Sequence, residues 1–351
     1  MLDVTAWDLP DFDDHEGVHL FRDRASGLTA VIAVHSTALG PAAGGVRFWH
    51  YGEKVEAVTD ALRLSRGMSY KNAMAGLPLG GGKGVILADR AGTKTQSLLQ
   101  AFGKAVNTLG GAYVTAEDVG ISTDDMVAIS KETKFVSGLP VAQGSAGGDP
   151  GPFTAYGVFL GVKAAVKRAL GKQSVQGVHV AIQGVGSVGG GLAKLLAEEG
   201  AKLTLADVNA ERAAALAQQL GGEAVASDEI LRVQADVVSP NALGAILTED
   251  SIAALQAPIV AGGANNQLAT PQDGDRIHAR GILYAPDYVI NAGGIINVGL
   301  EYLGRGDEAE VRSRIRLIPD RLEQVWAESA HTGDPAARVA DRIAQRLIGR
   351  G

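Results

Sequence analysis

Cysteine is absent from the 351-residue sequence, aromatic residues make up only 5%, and the net charge of −7 leaves no excess of basic residues. The absence of cysteine excludes disulfide bonds, thiolate metal sites and a cysteine nucleophile, and it is typical of a protein in a reducing cytoplasm. The charge disfavours nucleic-acid binding. No apolar run approaches the roughly 18 residues of a membrane helix, and the acidic first 17 residues predict no signal peptide.

Glycine is the residue that the sequence has in excess. Low-complexity sequence would spread glycine evenly, so clusters indicate places where the backbone approaches a ligand. Nineteen of the 47 glycines lie in short clusters, at residues 44–45, 80–84, 144–151, 184–191, 262–263 and 293–294. The chain is longer than a single hydrophobic core usually grows, so two domains are expected.

The most informative segment spans residues 64–87, LSRGMSYKNAMAGLPLGGGKGVIL, in which Lys71 and Lys83 lie on either side of three glycines, Gly80 to Gly82. We predict a tight bend at the glycines, which leaves Lys83 uncrowded, followed by a buried strand over residues 85–87. A lysine that is desolvated beside a second cation loses its proton near neutral pH, so the two lysines suggest catalysis. The alternative is a solvated surface turn.

Two further features of the N-terminal half carry candidate residues. Gly44 and Gly45 are predicted to expose N–H groups that suit a carboxylate, although a plain turn between a strand and a helix fits equally well. Glu117 and Asp118 follow a short predicted strand over residues 112–115. A carboxylate just past a strand end is a common catalytic position, and a helix N-cap is the alternative.

Residues 138–152, GLPVAQGSAGGDPGP, form the most linker-like stretch of the chain, rich in glycine and proline. We place the domain boundary there, as a static linker or a hinge, with domains over residues 1–139 and 140–331. Helices are predicted on both sides of this stretch, over residues 53–69 and from Thr154, as a cap, to Leu170.

A dinucleotide-binding unit follows the second helix. A buried strand at residues 178–182 leads into a GxGxxG fingerprint, Gly184 to Gly189, and a second strand ends before Asp207. The glycines let a pyrophosphate reach a helix N-terminus, where N–H groups and the helix dipole stabilise negative charge. Asp207 would accept hydrogen bonds from the adenosine ribose and repel a 2′-phosphate, which favours NAD over NADP. Arg212 is a basic residue close to this acid, so NADP remains the alternative cofactor.

The βαβ pattern continues to residue 285 and predicts an open sheet of the Rossmann type. Polar clusters at residues 239–242 and 262–266 follow two of its strands. Because the carboxyl ends of such strands line a ligand crevice, both clusters are predicted to face a ligand. Residues 308–350 are predicted to be helical, with most charges on a solvated face. The fold class expected is α/β, with an N-terminal α/β domain and a C-terminal Rossmann-type domain separated by a cleft.

Seven segments occur in the order shown by the superfamily of glutamate, leucine, phenylalanine and valine dehydrogenases: LGPAAGGVR, LRLSRGMSYKNAMAGLPLGGGKGVI, TAEDVG, TAYGVFLGVKAA, QGVGSVG, ANNQL and YAPDYVINAGGIINV. The chain resembles this family over nearly its whole length, and leucine dehydrogenases most closely. The resemblance implies NAD-dependent oxidative deamination of an apolar L-amino acid to the 2-oxo acid and ammonium. It also implies a cytoplasmic homo-oligomer, no catalytic metal, and a segment 332–351 that folds back onto the N-terminal domain.

The resemblance further implies a role for each candidate residue. Lys83 would be the low-pKa base that activates water, and Asp118 would move protons to and from the substrate nitrogen. Lys71 and the backbone of Gly45 would hold the substrate carboxylate, while Asn265 would contact both substrate and nicotinamide. The NAD site would comprise Arg47, Thr154, Gly184, Val185, Gly186, Ser187, Val188, Gly189, Asp207, Arg212, Ala242, Leu243 and Asn265.

The substrate pocket implied by the resemblance is apolar, so the side-chain carboxylate of glutamate would be left unpaired and rejected. Its wall comprises Ala43, Met68, Ala116, Ile295 and Val298. Ala43 departs from the leucine pattern and enlarges the pocket as in phenylalanine enzymes, whereas Ile295 takes back part of that space. Gly263, where alanine is usual, would alter the backbone beside Asn265. Leucine or another branched-chain acid is favoured, with phenylalanine as the alternative.

Two other classes of protein compete with this interpretation. A non-catalytic NAD-binding regulator would have no need of Lys71, Lys83 and Asp118 together. An NAD-dependent hydroxy-acid dehydrogenase would normally use a histidine acid/base near an arginine, and none of the seven histidines lies in such a motif. The three intact residues therefore favour an enzyme that acts on amino acids.

Overall fold

The computed structural model describes residues 5–9, 11–140, 144–304 and 306–351. The chain divides into two units: unit 1 comprises Met1–Gly148, Asn297–Glu308 and Ala344–Gly351, and unit 2 comprises Asp149–Ile296 and Ala309–Ile343. Part of the predicted linker, residues 141–143, lies outside the described residues. Within the described chain, no helix is both long and apolar enough to cross a membrane.

The strands are β1 (Gly17–Arg22), β2 (Thr29–Ser36), β3 (Ala42–Trp49), β4 (Gly80–Leu87), β5 (Tyr113–Ala116), β6 (His179–Gln183), β7 (Lys202–Ala206), β8 (Glu223–Ala224), β9 (Val237–Pro240), β10 (Ile259–Val260) and β11 (Leu283–Tyr284). The helices are α1 (Lys54–Met74), α2 (Gln96–Thr108), α3 (Thr123–Ser130), α4 (Gly151–Leu170), α5 (Ser187–Glu198), α6 (Ala210–Leu220), α7 (Glu249–Ala254), α8 (Pro271–Ala279), α9 (Asp287–Ile290), α10 (Gly293–Tyr302), α11 (Glu308–Ile315), α12 (Ile318–Thr332) and α13 (Ala336–Leu347).

Unit 1 contains a mixed sheet with the strand order β1-β2-β4-β3-β5. β1 and β2 form an antiparallel pair, β4 is antiparallel to β2, and β3 runs parallel to β4 and β5. Alternate residues of β2 serve opposite faces, as the period of a strand requires. Ile32 packs in a core with Phe102 of α2 and Met126 of α3, and Val31 packs in a second core with Leu62 of α1. The sheet is therefore buried on both faces.

The glycine run lies inside β4, so the predicted bend at Gly80 to Gly82 is wrong. Helix α1 packs so closely on this strand that a β-carbon on Gly81 would lie 2.0 Å from the backbone nitrogen of Ser69. On Gly82 a β-carbon would lie 2.6 Å from the Tyr113 ring. These glycines are extended residues that admit close neighbours. Glycine is permitted in both a bend and a tightly packed strand, and local sequence does not separate the two.

Two neighbouring predictions of the backbone are also corrected. Helix α1 continues to Met74, beyond the predicted end at residue 69, so Lys71 lies in its last turn. Gly44 and Gly45 belong to β3, where Gly45 pairs with Ala116, and they do not form a turn. The sequence did not predict β3 as a strand. β3 is rich in small residues because its neighbours are close, and a β-carbon on Gly44 would lie 1.8 Å from the carbonyl oxygen of Gly82.

Unit 2 is an open parallel sheet with the strand order β11-β10-β9-β6-β7-β8. Chain order runs outward in both directions from β6, which is the doubly wound arrangement of Rossmann-type domains. The predicted α/β class is confirmed. In such sheets the ligand crevice opens at the carboxyl ends of the strands where the order reverses, here between β6 and β9.

Helix α4 begins at Gly151, three residues before its predicted start. The Oγ1 of Thr154 donates to the carbonyl oxygen of Pro150 at 2.9 Å, so Thr154 lies inside the first turn and the prediction that it caps the helix is wrong. Pro152 stands in the same turn, where its missing N–H has no helical partner to lose.

The C-terminal helices bury an apolar face despite their many charges. In unit 2, Trp326 on α12 is 2% exposed and donates from Nε1 to the carbonyl oxygen of Tyr284 at 2.8 Å. This bond joins α12 to β11, the last strand of the sheet. The final residues belong to unit 1, where Arg350 donates to the carbonyl oxygens of Asp13 and His35 at 2.7 Å each.

We predict that Gly81→Ala destabilises unit 1 by at least about 3 kcal/mol, because the new β-carbon would meet the backbone of α1. The matched control is Gly67→Ala, also in unit 1, where a β-carbon meets no atom within 4 Å. The control should gain about 0.5–1 kcal/mol, since alanine is the better helix former. Chemical denaturation of both variants measures the difference, and equal stabilities would contradict the close packing of α1 on β4.

Candidate active site

An ion pair lies in unit 1 between Lys83, which is buried in β4, and Asp118, which is partly exposed in the segment after β5. The Nζ of Lys83 lies 2.8 Å from Oδ2 of Asp118, and the lysine side chain is 6% exposed. Glycine at position 45 makes this approach feasible, because a β-carbon there would lie 2.9 Å from Cβ of Asp118 and 2.3 Å from the carbonyl oxygen of Glu117. The turn is also tied to β3 by the bond from the Phe48 N–H to the carbonyl oxygen of Val119, at 2.9 Å.

The surroundings of Lys83 lower its pKa. Burial is the largest cause, because it disfavours the ammonium form, and the nearby guanidinium of Arg47 acts in the same direction. Asp118 opposes both effects by attracting the ammonium. The balance favours the neutral amine more than water would. A neutral amine in a water-poor site can accept a proton, which is what a general base requires.

Asp118 is held by two cations. Besides Lys83, the Nε of Arg47 donates to its Oδ2 at 3.0 Å. Burial raises the pKa of Asp118, but Lys83 and Arg47 outweigh burial and the pKa lies below its ordinary value. Asp118 is therefore a carboxylate at neutral pH, and it does not cap a helix, since Ser122 caps α3.

Sequence reasoning missed the residues that hold Arg47. The NH1 of Arg47 donates to Oδ2 of Asp60 at 2.8 Å, and the Tyr51 hydroxyl donates to the same oxygen at 2.7 Å. Arg63 donates to the other oxygen, Oδ1, at 2.9 Å. Asp60 is 8% exposed. An acidic residue beside Ala57 and Ala61 on the apolar face of α1 was the available signal for this network.

The last turns of α1 lie over the first residues of β3 and β4. The Cγ of Met68 lies 3.2 Å from a β-carbon built on Gly44, and Asn72 donates to the carbonyl oxygen of Gly80 at 2.5 Å. Met68 and Lys71 are three residues apart, so they share one face of the helix. This places Met68 beside β3 in unit 1, and Lys71 is partly exposed on the same helix face.

The apolar wall residues occupy two settings. Ala43 is 8% exposed in β3, and Ala116 ends β5 in a partly exposed position. On α10, Ile295 and Val298 are partly exposed and three residues apart, so they lie on one face of that helix. In unit 1, α10 packs on the chain before β4, because a β-carbon on Gly299 would lie 3.0 Å from Leu77 and 3.2 Å from Leu79.

In unit 2 the fingerprint glycines connect β6 to α5. Gly184 has φ +83°, a conformation that favours glycine. A β-carbon on Gly189 would lie 1.9 Å from the carbonyl oxygen of Gly184, so that position also requires glycine. Gly186 differs, because a β-carbon there would meet no atom within 4 Å. Gly186 is the N-cap of α5 and offers no side-chain cap, and the first N–H groups of a helix have no partner within the helix itself.

Asp207 lies at the end of β7 and braces the fingerprint loop. Its Oδ2 accepts from the Val185 N–H at 2.8 Å, and its Oδ1 accepts from the Asn209 N–H at 2.9 Å and from Arg212 at 2.6 Å. Burial raises the pKa of Asp207, but these donors outweigh it and the pKa is lowered. Val208, which sequence reasoning passed over, follows with 88% of its surface exposed.

The remaining candidates of unit 2 lie on the loops after β9 and β10 and in the first turn of α4. Asn265 is exposed after β10 and accepts from Asn291 at 2.7 Å. Leu243 is 76% exposed after β9, and the Cβ of Ala242 lies 2.7 Å from a β-carbon built on Gly184. Thr154 lies in the first turn of α4, whose Gly151 is in close contact with Ser187, since a β-carbon there would lie 1.9 Å from its Oγ.

Two family models together match most of the chain. Residues 15–135 match the model described as "Glu/Leu/Phe/Val dehydrogenase, dimerisation domain", and residues 144–210 and 204–346 match "Glutamate/Leucine/Phenylalanine/Valine dehydrogenase". The chain belongs to the Glu/Leu/Phe/Val dehydrogenase family. It is an amino-acid dehydrogenase, and the predicted resemblance to leucine dehydrogenase is confirmed by the relatives described next.

A leucine dehydrogenase of Geobacillus stearothermophilus is 48% identical over 335 residues, which is 95% of this chain and 91% of that protein. A valine dehydrogenase of Streptomyces virginiae is 46% identical over 337 residues, covering 95% of this chain and 94% of that protein. Among solved structures, L-tryptophan dehydrogenase from Nostoc punctiforme superposes with a TM-score of 0.86 at 40% identity, covering 95% of this chain and 96% of that one.

We predict that Arg47→Gln raises the pKa of both Lys83 and Asp118. Loss of the guanidinium removes a charge that repels the Lys83 ammonium and a charge that attracts the Asp118 carboxylate. Arg63→Gln is the control, since Arg63 binds Asp60 and makes no bond to Asp118 in the described network. NMR titration with 13C-labelled lysine and aspartate, assigned with Lys83→Met and Asp118→Asn, measures both pKa values. Identical titrations in the two variants would contradict the role of Arg47.

Proposed function

We propose that the protein catalyses NAD-dependent oxidative deamination of an apolar L-amino acid, leucine or another branched-chain acid, to the 2-oxo acid and ammonium. The observation that carries this proposal is the buried Lys83–Asp118 pair, in which the pKa of the lysine is lowered beside an ionised carboxylate. Paired groups whose environments shift their pKa values are the usual acid/base machinery of an active site. The relatives named leucine and valine dehydrogenase support the substrate class.

In the proposed reaction, Lys71 and the N–H of Gly45 bind the substrate carboxylate. Bound NAD supplies the acceptor for the hydride that leaves Cα. Lys83, as the neutral amine, then takes a proton from the water that adds to the imine carbon. Asp118, 2.8 Å from Lys83, takes one proton from the substrate ammonium before the hydride leaves and returns it to the nitrogen of the water adduct. The C–N bond then breaks and the hydroxyl of the adduct gives its proton to the departing ammonia, so ammonium and the 2-oxo acid leave. Burial of Lys83 keeps bulk water away from this exchange.

The residues of unit 2 fit a dinucleotide. The uncapped N-terminus of α5 and the open space at Gly186 suit a pyrophosphate, because N–H groups and the helix dipole stabilise its charge. The exposed Val208 suits the flat face of an adenine ring. We assign Arg47, Thr154, Ala242 and Leu243 to this cofactor only as a proposal, since Arg47 also serves Asp118 in unit 1.

The acid at the end of β7 supports NAD as the cofactor. Asp207 would accept from the ribose hydroxyls and would repel a 2′-phosphate at the same place. Arg212 is bound to Asp207 at 2.6 Å, so its charge is partly neutralised by that carboxylate. An arginine that is paired with a carboxylate attracts the 2′-phosphate of NADP less strongly than a solvated arginine does.

The apolar pocket residues support an aliphatic substrate. Ala43, Met68, Ala116, Ile295 and Val298 offer no partner for a charged side chain, so glutamate would lose its hydration without compensation. Phenylalanine is the second candidate, because Ala43 leaves space in the wall. The relative named L-tryptophan dehydrogenase shows that this fold also serves an aromatic acid in another protein.

The assembly we propose is a homo-oligomer formed through unit 1, because the family model matched by residues 15–135 is described as a dimerisation domain. Unit 1 would bind the amino acid and unit 2 the dinucleotide. The bounds of the units differ from the predicted domains, residues 1–139 with 332–351 and residues 140–331, because residues 297–308 belong to unit 1 and residues 309–343 belong to unit 2.

The substrate assignment predicts the order of rates in a panel of amino acids. NADH formation at alkaline pH is measured with leucine, valine, isoleucine, phenylalanine, tryptophan and glutamate. We expect the aliphatic acids to lead by about tenfold or more over phenylalanine, and glutamate to be inactive, because one or two methylenes in an apolar pocket change the barrier by about 1–3 kcal/mol. A higher rate with phenylalanine than with the aliphatic acids would mean that the space at Ala43 determines the substrate. No NADH formation with any of the six amino acids would contradict the proposed activity.

Loss of Lys83 should separate the enzyme from an NAD-binding regulator. We predict that Lys83→Ala lowers kcat by about 10³-fold, the usual contribution of a general base, while NADH binding by fluorescence stays within twofold. Lys94→Ala is the control, since Lys94 forms its own ion pair with Asp125 in unit 1. If Lys83→Ala and Lys94→Ala have equal kcat, the role of Lys83 as the general base is wrong.

A further inference from the structure

Residues 135–139, the bridge segment, run beside the end of β5 in unit 1. The Thr115 N–H donates to the carbonyl oxygen of Phe135 at 3.1 Å, and the Ser137 N–H donates to the carbonyl oxygen of Thr115 at 2.9 Å. The bridge segment is parallel to β5 at this point. Ala116, a proposed wall residue of the amino-acid pocket, follows Thr115 directly. The bridge segment is thus tied to the strand that carries one side of that pocket.

The far end of the bridge segment is held by Glu301 on helix α10. Its Oε1 accepts from the Gly138 N–H at 2.9 Å and from the Leu139 N–H at 3.1 Å, and its Oε2 accepts from Gly138 at 3.2 Å. Val298, another proposed wall residue, lies three residues before Glu301, so the two share one face of α10. The bridge segment therefore joins the two sides of the proposed pocket, β5 and α10.

Glu301 is a carboxylate in a place where burial is unfavourable. Burial is the largest cause that raises the pKa of Glu301, and the nearby carboxylate of Glu117 acts in the same direction. The N–H groups of Leu139 and Gly138 oppose this rise by donating to the carboxylate. A side chain that only filled space here could be apolar. The bonds to the bridge segment are what the carboxylate provides and an apolar residue would lose.

The bend at Gly138 is fixed against the end of β5. Gly138 has a φ of +78°, a conformation that favours glycine. A β-carbon there would lie 3.3 Å from Cγ of Glu117, which follows Ala116 in the chain. A displacement of Gly138 is therefore expected to reach Ala116 through this contact as well as through the bonds to Thr115.

We propose that Glu301 is a positioning residue that sets the width of the amino-acid pocket, because it fixes the separation between Val298 on α10 and Ala116 on β5. The inference rests on the proposed function of these two wall residues. Glu301 is bound to the bridge segment and acts on the substrate only through it. The width of the pocket selects the side chain of the amino acid, so discrimination between a branched aliphatic and an aromatic side chain depends on Glu301.

Glu301→Leu tests the proposal, because it removes both acceptor oxygens with little change in volume. The kcat/KM values for L-leucine and L-phenylalanine are measured, together with the KM for NAD. We expect the ratio of the two kcat/KM values to move about tenfold toward the disfavoured amino acid, mainly through its KM. The KM for NAD should stay within about twofold. An unchanged ratio would overturn the proposal, and so would equal losses with both amino acids, since these would indicate general loosening of unit 1.

Two conservative variants separate the hydrogen bonds of Glu301 from its charge. Glu301→Gln removes the charge but keeps one oxygen, whose two lone pairs can accept from both N–H groups as Oε1 does. We expect its ratio to equal that of the unchanged protein. Glu301→Asp keeps the charge but is one methylene shorter, so its ratio should shift in the same direction as in Glu301→Leu.

The aspartate variant also serves as the test if Glu301→Leu does not fold. An altered ratio in Glu301→Gln with a normal one in Glu301→Asp would overturn the proposal, because the effect would then follow the charge and its repulsion by Glu117.

Glu16→Leu is the matched control in unit 1. Glu16 also accepts from a backbone N–H, that of Thr37 at 2.7 Å, and its other oxygen accepts from the Thr37 hydroxyl at 2.6 Å. Neither bond involves the bridge segment, β5 or α10. The control should leave the ratio of kcat/KM values unchanged, and a shift equal to that of Glu301→Leu would overturn the proposal.

The unchanged protein and a wall variant distinguish this inference from the proposed function. If the unchanged protein forms no NADH with either amino acid, or if Val298→Ala leaves the ratio unaltered, the proposed activity or its pocket is wrong and this inference falls with it. If both behave as expected and only Glu301→Leu and Glu301→Asp leave the ratio unaltered, this inference alone is wrong.

Discussion

The ion pair of Lys83 and Asp118 is the interaction on which unit 1 depends. Burying an ammonium beside a sheet is unfavourable unless a carboxylate lies at hydrogen-bond distance. The carboxylate reaches that distance only because position 45 carries no side chain. Short contacts also join α1, β3 and β4, because the glycines of the two strands let neighbouring backbone approach closely.

Charge alternates outward from this pair, from Lys83 to Asp118 to Arg47 to Asp60. Each ion has an opposite charge next to it and a like charge one step further away. This order keeps Asp118 ionised while lowering the pKa of Lys83. The arrangement that makes the burial of Lys83 tolerable therefore also places a base beside a carboxylate. Both groups are in position for proton transfer before the reaction begins.

Unit 2 uses glycine in two different ways. Gly184 and Gly189 are required by the protein itself, through a positive φ and a close carbonyl oxygen, whereas Gly186 leaves open space at a helix N-terminus. Side-chain amides hold the loop after β10. Asn241 accepts a hydrogen bond from the Gly263 N–H, and Asn291 donates one to the side chain of Asn265. Rigid backbone thus determines where donors point.

Sequence alone determined the α/β class, the fingerprint at Gly184 to Gly189, and the family, because periodicity, spacing and motif order are properties of the sequence itself. Only the tertiary structure decided that Gly80 to Gly82 form a packed strand, that Asp60 holds Arg47, and which way Asn265 points. A glycine is compatible with a bend or with a close contact, and a buried carboxylate with many partners. The atoms that choose between these possibilities come from distant parts of the chain.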